Sequence, residues 1–143
     1  MPSFTLESAP EWARGLLERS RVGHLGLLDS DRHPRVLPVS FALHDGAVWT
    51  AIDRKPKRSP PARVRWLHAA PRAAITVDHY EDDWSRLAWV QLIGEIAVLD
   101  GPPSEPVLAA LCSRYDQYRR EPPPGPVLRL EVSRAVCWRA ADS

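Results

Sequence analysis

Basic side chains gather in one short stretch, D-R-K-P-K-R-S-P-P-A-R-V-R, which runs from Asp53 to Arg65. Six of these 13 residues are Lys or Arg, and both lysines of the chain, Lys55 and Lys57, lie here, while every basic residue elsewhere is arginine. Lysine carries a compact charge on a flexible stem, which suits it to the oxygens of a phosphate group. The stretch therefore suggests an anion-binding site.

The predicted position of this stretch at the start of a helix supports the same hypothesis. Ser59 is expected to cap a helix over residues 60–70, whose first turn accommodates two prolines. Free backbone N–H groups and the helix dipole favour negative charge at such an N-terminus. The two lysines and Arg58 would add full positive charges just before it. A solvated basic surface loop is the alternative interpretation.

The elements that must position this stretch are mostly strands in hairpin and meander order. A His44–Gly46 turn predicts a hairpin, Pro38 predicts an edge strand or a bulge, and Gly94 predicts a bend in a long strand. This order predicts a mainly β fold, a six-stranded antiparallel barrel with peripheral α-helices. The predicted strands cover residues 22–28, 35–43, 47–52, 73–80, 87–99 and 127–138, and the predicted helices cover about 9–20, 60–70 and 105–118.

Composition narrows the class of protein. A chain of 143 residues with 44% hydrophobic and 26% charged residues is expected to form one globular domain over residues 1–143. A net charge of +1 argues against general nucleic-acid binding. The sequence has neither the run of about 20 apolar residues that a membrane span needs nor the layout of a signal peptide. We therefore expect a cytoplasmic protein.

Side chains elsewhere do not form a familiar catalytic set. The five histidines include no pair at i, i+4 spacing, so no metal site is expected. Cys112 and Cys137 are far apart and are expected to be free thiols. No G-x-S-x-G nucleophile motif is present. The chemistry is therefore expected to come from a bound cofactor.

Aromatic residues near the basic stretch indicate what kind of cofactor this would be. The chain has six tryptophans. Trp49 lies on the strand that leads into the basic stretch, and Trp84 and Trp89 flank an acidic turn. A phosphate-binding loop beside aromatic walls can hold a phosphorylated aromatic cofactor.

Two segments carry a resemblance to a known family: PRVLPVSFALHDGAVWTAIDRKPKR and APRAAITVDHYEDDWSRLAWVQLIGEIAVLD. They resemble the pyridoxamine 5′-phosphate oxidase-like split-barrel proteins, and more narrowly the branch that uses the deazaflavin coenzyme F420. The resemblance runs from about Val22 to Asp100 and is weaker in VLRLEVSRAVCWRA. It implies an FMN-binding-like split barrel and an oxidoreductase that transfers hydride between the coenzyme and a small organic substrate.

The resemblance also implies a homodimer with cofactor sites at the subunit interface. Two matching segments would flank the ring system: Leu37, Pro38 and Val39 on one side, and Thr50, Ala51 and Ile52 on the other. A third segment, with Lys55, Lys57, Arg58 and Ser59, would bind the phosphate. The fourth, with Trp84, Ser85 and Arg86, would reach in from the second subunit.

The chain departs from the family pattern just after the phosphate segment. Relatives carry an Asn in the following helix, whereas Trp66 or His68 stands there in this chain, and Arg63 is the best polar substitute. FMN in place of the deazaflavin, or a non-enzymatic module that carries a cofactor or haem, are the alternatives. The catalytic residues are unassigned, because His79 and Tyr80 are proton-donor candidates only by proximity.

Overall fold

A computed structural model of the chain describes residues 2–52 and 61–140. This part of the chain is mainly β, with eight antiparallel strands in one sheet and four α-helices. The strands are β1 (Ser3–Phe4), β2 (Gly23–Leu28), β3 (Pro34–Val39), β4 (Ala42–His44), β5 (Ala47–Ala51), β6 (Arg72–His79), β7 (Ala88–Leu99) and β8 (Val127–Arg139). The helices are α1 (Glu11–Arg19), α2 (Ala62–Ala69), α3 (Glu105–Arg114) and α4 (Asp116–Arg120), and a 3₁₀ turn spans Trp84–Arg86.

The strand order is β3-β2-β6-β7-β8-β5-β4, with β1 pairing to β8 outside this path. Strand β8 therefore lies in the middle of the sheet, between β7 and β5. The two end strands, β3 and β4, are consecutive in the chain, and Ser40 and Phe41 alone separate them. The sheet thus curves until its two ends meet at this corner, although no ladder joins β3 to β4 within the described residues.

The sheet has eight strands where the sequence predicted six. Strand β1 has two residues, too few for an alternating pattern to be recognised. The strand predicted at residues 35–43 is divided into β3 and β4 at the Ser40–Phe41 corner. There the Phe41 amide donates to the Tyr115 hydroxyl at 3.1 Å, and the Phe41 ring is fully buried. This long-range contact ends the strand and leaves no trace in the local pattern.

Three local predictions are confirmed. His44 pairs with Ala47 across a two-residue turn, and positive φ angles at Asp45 and Gly46 (51° and 71°) match the type I′ hairpin. Pro38 lies on β3, an end strand that pairs with β2 alone among the described strands. The β7–β8 register shifts between Ile93 and Gly94, which places a β-bulge at the predicted bend.

Close backbone contact explains the glycine at this bulge. A Cβ atom on Gly94 would lie 1.8 Å from the carbonyl oxygen of Glu131 and 2.9 Å from its carbonyl carbon. Since both contacts are with backbone atoms, no side-chain rotation can relieve them. Gly94 therefore allows β7 and β8 to approach and bend where a larger residue would separate them.

Two hydrophobic clusters hold the sheet. Alternate residues of β2, β6 and β7 point to one side and pack with α1 and α2 in the main core, whose members include Leu16, Leu17, Leu25, Val64, Leu67, Ile75, Val90 and Leu92. A smaller cluster lies between the sheet and the helices α3 and α4, and consists of Ala42, Ala51, Val107, Leu111, Tyr118 and Val127. The two clusters cover different parts of the sheet.

Cys112 and Cys137 form no disulfide within the described residues. None of the helices in the described ranges is long and apolar enough to cross a membrane.

Candidate functional site

A polar cavity of about 160 Å³ lies at the corner where the two ends of the sheet meet. Five of the seven described residues that line it were predicted from the sequence to bind a cofactor, and they come from three separate segments. The cavity is lined by Pro38, Val39, Ser40, Thr50, Ala51, Arg63 and Tyr118. The fold thus brings the predicted positions on β3, β5 and α2 together around one space.

Strand pairing explains why β3 and β5 meet here. Ala42 pairs with Trp49 in the β4–β5 hairpin. Continuing this antiparallel register by two residues places Ser40 beside Ala51, at the end of β5. The β3–β4 corner and the end of β5 therefore form two walls of the cavity.

Thr50 stands out among the residues of β5. It is 5% exposed, and its neighbours on the same side of the strand, Val48 and Ile52, belong to the main hydrophobic core. A hydroxyl in such a row costs free energy unless it has a polar partner. The cavity supplies a polar setting for this hydroxyl, and Arg63, in the first turn of α2, brings a guanidinium to the same space.

Leu37 and Ile52 do not line the cavity. Leu37 pairs with Leu25 of β2 and packs against the main core. Ile52 is buried in that core, and its amide donates to the Pro126 carbonyl at 3.0 Å. Since that amide already has a partner, Ile52 has no backbone donor left to offer a ligand.

Lys55, Lys57, Arg58 and Ser59 lie outside the described residues, in segment 53–60. Ile52 directly follows β5, and Pro61 directly precedes α2. The predicted phosphate segment is therefore tied at both ends to elements that line the cavity.

The Trp84 segment lies at a second, separate cavity. Trp84, Ser85 and Arg86 form the 3₁₀ turn, and the Trp84 side chain is 67% exposed. Ser85 and Arg86 line a cavity of about 190 Å³ together with Trp12, Arg19, Leu87, Ala88 and Arg139. The two cavities share none of their described lining residues.

Charged side chains fix the shape of this turn. The Ser85 hydroxyl and amide both donate to the Asp83 carboxylate, at 2.7 and 3.1 Å. The hydroxyl bond first, and then the amide bond, lowers the pKa of Asp83 below its usual value. Arg86 Nε lies 3.4 Å from Glu81 Oε2, which also contacts His79 Nε2. The turn is thus held by ionic contacts while its tryptophan stays exposed.

The two cavities lie at opposite ends of β7. Ala88 follows the 3₁₀ turn, whereas Val98 pairs with Leu128, which pairs in turn with Thr50. The ten-residue step from Ala88 to Val98 corresponds to about 33 Å of extended strand. Within one chain, the segments predicted to flank the ring system therefore lie far from the Trp84 turn, which was predicted to reach the second subunit's site.

The sequence did not indicate a further cavity, of about 490 Å³, which lies at the Gly94 bulge. It is lined by Arg72, Ala73, Ile93, Gly94, Glu95, Glu131, Val132 and Ser133. Glu95 pairs directly with Glu131 across the β7–β8 ladder, and the Ser133 hydroxyl donates to the Ile93 carbonyl at 3.0 Å. The glycine predicted the bend, but the cavity depends on the pairing of the two strands.

Asp29, Asp31 and His33 bring potential metal-binding atoms within 4.8 Å of one another in the β2–β3 turn. Asp29 Oδ1 accepts from the amides of Asp31 and His33, both at 2.9 Å, and the His33 bond contributes most to lowering the Asp29 pKa. These bonds explain the cluster as a turn that Asp29 stabilises.

Ser40 and Tyr118 line the corner cavity but were not predicted as site residues. Tyr118 continues the helical spacing of Val107 and Leu111, so the sequence indicated a packing role. Ser40 lies inside a predicted strand. The strand break and the docking of α4, which make them site residues, are long-range features.

The sequence matches the profile of the family described as "Pyridoxamine 5'-phosphate oxidase" over residues 9–139. No curated protein sequence matches the chain.

Solved structures with this fold include proteins that are described by different ligands. A haem-binding protein from Mycobacterium smegmatis superimposes with a TM-score of 0.70 at 22% identity, over 93% of this chain and 55% of its own. A FAD-binding protein from Mesorhizobium loti gives 0.65 at 18% identity, over 95% and 93%. An F420 reductase gives 0.64 at 20% identity, over 90% and 98%. At these identities the likeness establishes the fold alone.

Proposed function

The chain belongs to the pyridoxamine 5′-phosphate oxidase family, and we propose that it is a cytoplasmic oxidoreductase that uses the deazaflavin coenzyme F420. It would transfer hydride to or from a small organic substrate. The observation that carries this proposal is the convergence of β3, β5 and α2 on one polar cavity beside the ends of the basic segment 53–60.

The size of the cavity indicates how the coenzyme would be divided between subsites. About 160 Å³ is smaller than the roughly 300 Å³ of the smallest pockets that enclose a whole drug-sized ligand. The cavity would therefore take one part of the coenzyme. Lys55, Lys57, Arg58 and Ser59 would contribute to phosphate binding, and the ring system would lie against the outer side of β3 and β5.

Positioning is the main task left to the protein. When bound, the deazaflavin supplies or accepts the hydride. The chain would hold the ring at a fixed distance from the substrate and exclude water from the gap. None of the described residues that line the corner cavity is a histidine or a carboxylic acid, so no proton donor is assigned there.

We also propose a homodimer, because among the described residues nothing from either hydrophobic cluster packs on one face of the sheet. Trp89, Ile93, Val136 and Trp138 are half-buried, and none of them belongs to either hydrophobic cluster of the described residues. Trp89 pairs with Trp138 and Gln91 with Val136, so these side chains form a continuous patch across β7 and β8. A second copy would cover this patch and could bring its Trp84 turn towards the corner cavity.

Val136→Asp should convert the dimer into a monomer, because a charge in a buried apolar interface loses its hydration without gaining a partner. Light scattering after gel filtration should give twice the 16.1 kDa chain mass for the wild type and 16.1 kDa for the variant. Leu99→Asp is the matched control, since Leu99 is exposed at the end of β7. A monomeric wild type, or a Val136→Asp variant that stays dimeric, would contradict this interface.

Side-by-side titration with F420 and FMN tests the proposed cofactor. Binding should change the fluorescence of F420 at lower protein concentration than that of FMN. The reduced coenzyme should then lose its hydride to one or more members of a panel of organic acceptors.

The other outcomes separate the alternatives. Preferential binding of FMN, or a yellow protein on purification, would replace the deazaflavin by a flavin within the same fold. Tight binding of F420 without turnover of any acceptor would indicate a carrier instead of an enzyme. Binding of neither compound would overturn the proposed function.

A further inference from the structure

Tyr118 is the cavity-lining residue that comes from the C-terminal helices, outside the segments that carry the family resemblance. It is 7% exposed, and its ring packs edge-to-face on Tyr115 with centroids 5.6 Å apart. Tyr118 therefore places a side chain that carries a hydroxyl group beside the polar cavity.

Contacts around Tyr115 hold α4 in this position. The Tyr115 hydroxyl donates to the Arg21 carbonyl at 3.0 Å and accepts from the Phe41 amide at 3.1 Å. Arg114 Nε donates to the Phe41 carbonyl at 2.8 Å, and its guanidinium stacks on the Phe41 ring. The junction of α3 and α4 is thus hydrogen-bonded to both the amide and the carbonyl of Phe41, the residue that follows Ser40. Tyr118 and the β3–β4 corner are therefore fixed relative to each other.

The residues that line the cavity indicate the chemistry of its ligand. Ser40, Thr50 and Tyr118 carry hydroxyl groups, Arg63 carries a guanidinium, and none of the described lining residues is acidic. Among the described lining residues, hydroxyl groups and a guanidinium at a cavity of about 160 Å³ suit a phosphoryl group on a short polyol better than a three-ring system.

We infer that Tyr118 is a ligand-binding residue of this cavity, and that it contacts the ribityl phosphate end of the cofactor. This rests on the proposed function, but not on the choice between cofactors, since F420 and FMN both carry a ribityl phosphate. Helix α4 is then a wall of the binding site in addition to its packing role.

Affinities of Tyr118→Phe for F420, FMN and riboflavin test this inference. Loss of one hydroxyl contact should weaken binding of the two phosphorylated compounds by about 5- to 10-fold. Binding of riboflavin, which lacks the phosphate, should stay within 2-fold of the wild type. Tyr80→Phe is the matched control, because Tyr80 is 68% exposed and does not line the cavity. The melting temperature of Tyr118→Phe should match that of the wild type.

Two results would overturn the inference and can be told apart from failure of the proposed function. If Tyr118→Phe binds the phosphorylated compounds with the same affinity as the wild type, Tyr118 is not a ligand-binding residue. Equal weakening for riboflavin would show that Tyr118 does not act at the phosphate end. A wild type that binds none of the three compounds would overturn the proposed function, and this inference with it.

Discussion

Replacing Lys57 and Arg58 together by alanine should weaken binding of F420 by about 100-fold or more. Hydrogen bonds from charged groups contribute about 1.5–3 kcal/mol each, so two of them amount to about 3–6 kcal/mol. The same titration that measures the wild type measures this loss. The affinity of the wild type should also fall as salt is added, and that of the double variant should fall less steeply.

A matched double variant separates specific contacts from total charge. Arg14→Ala with Arg120→Ala removes the same two charges from exposed positions that do not line the corner cavity. Its affinity for F420 should stay within 2-fold of the wild type. If the two double variants weaken binding equally, the phosphate would be attracted by overall charge, and the assignment of the basic segment would be wrong.

Gly94→Ala should destabilise the fold by about 3 kcal/mol, at the upper end of the usual cost of overpacking. The added methyl carbon would lie 1.8 Å from the Glu131 carbonyl oxygen, so β7 and β8 must separate to admit it. These strands carry the central ladder of the sheet. For a domain of this size the loss corresponds to a fall in melting temperature of about 10 °C, which calorimetry can measure.

Gly15→Ala is the control for this glycine substitution. Gly15 lies in α1, and the nearest atom to its added carbon is the Arg19 guanidinium at 3.5 Å, an ordinary contact. Alanine is the better helix former, so this variant should be as stable as the wild type or more stable by up to about 1 kcal/mol. A Gly94→Ala variant with wild-type stability would show that the bulge can relax cheaply.

Local sequence signals predicted the parts of the fold that depend on neighbours in the chain. The hairpin at His44–Gly46, the edge position of Pro38 and the irregularity at Gly94 each follow from the conformational demands of one or two residues. Alternation of apolar residues likewise placed the long strands β6, β7 and β8 within a few residues of their ends.

The parts that sequence reasoning missed depend on contacts between distant segments. Phe41 breaks a predicted strand because its amide meets Tyr115, 74 residues away. Tyr118 has the spacing of a packing residue, and it lines the cavity because α4 docks beside Ser40. The resemblance to a family supplied Pro38, Val39, Thr50 and Ala51, and Arg63 was the substitute chosen where the chain departs from the family. The fold now gives a physical reason why these positions meet.

The central position of β8 bears on how the chain assembles during synthesis. Strand β8 follows the other seven described strands in the chain, yet it joins β7 to β5 and pairs with β1. Before β8 is synthesised, β7 and β5 would each lack the neighbouring strand that they have in the folded sheet. Unpaired strand edges template wrong pairings and aggregation. Pairing with β8 protects both edges in one step, so we expect the nascent chain to be most prone to aggregation between the synthesis of β7 and that of β8.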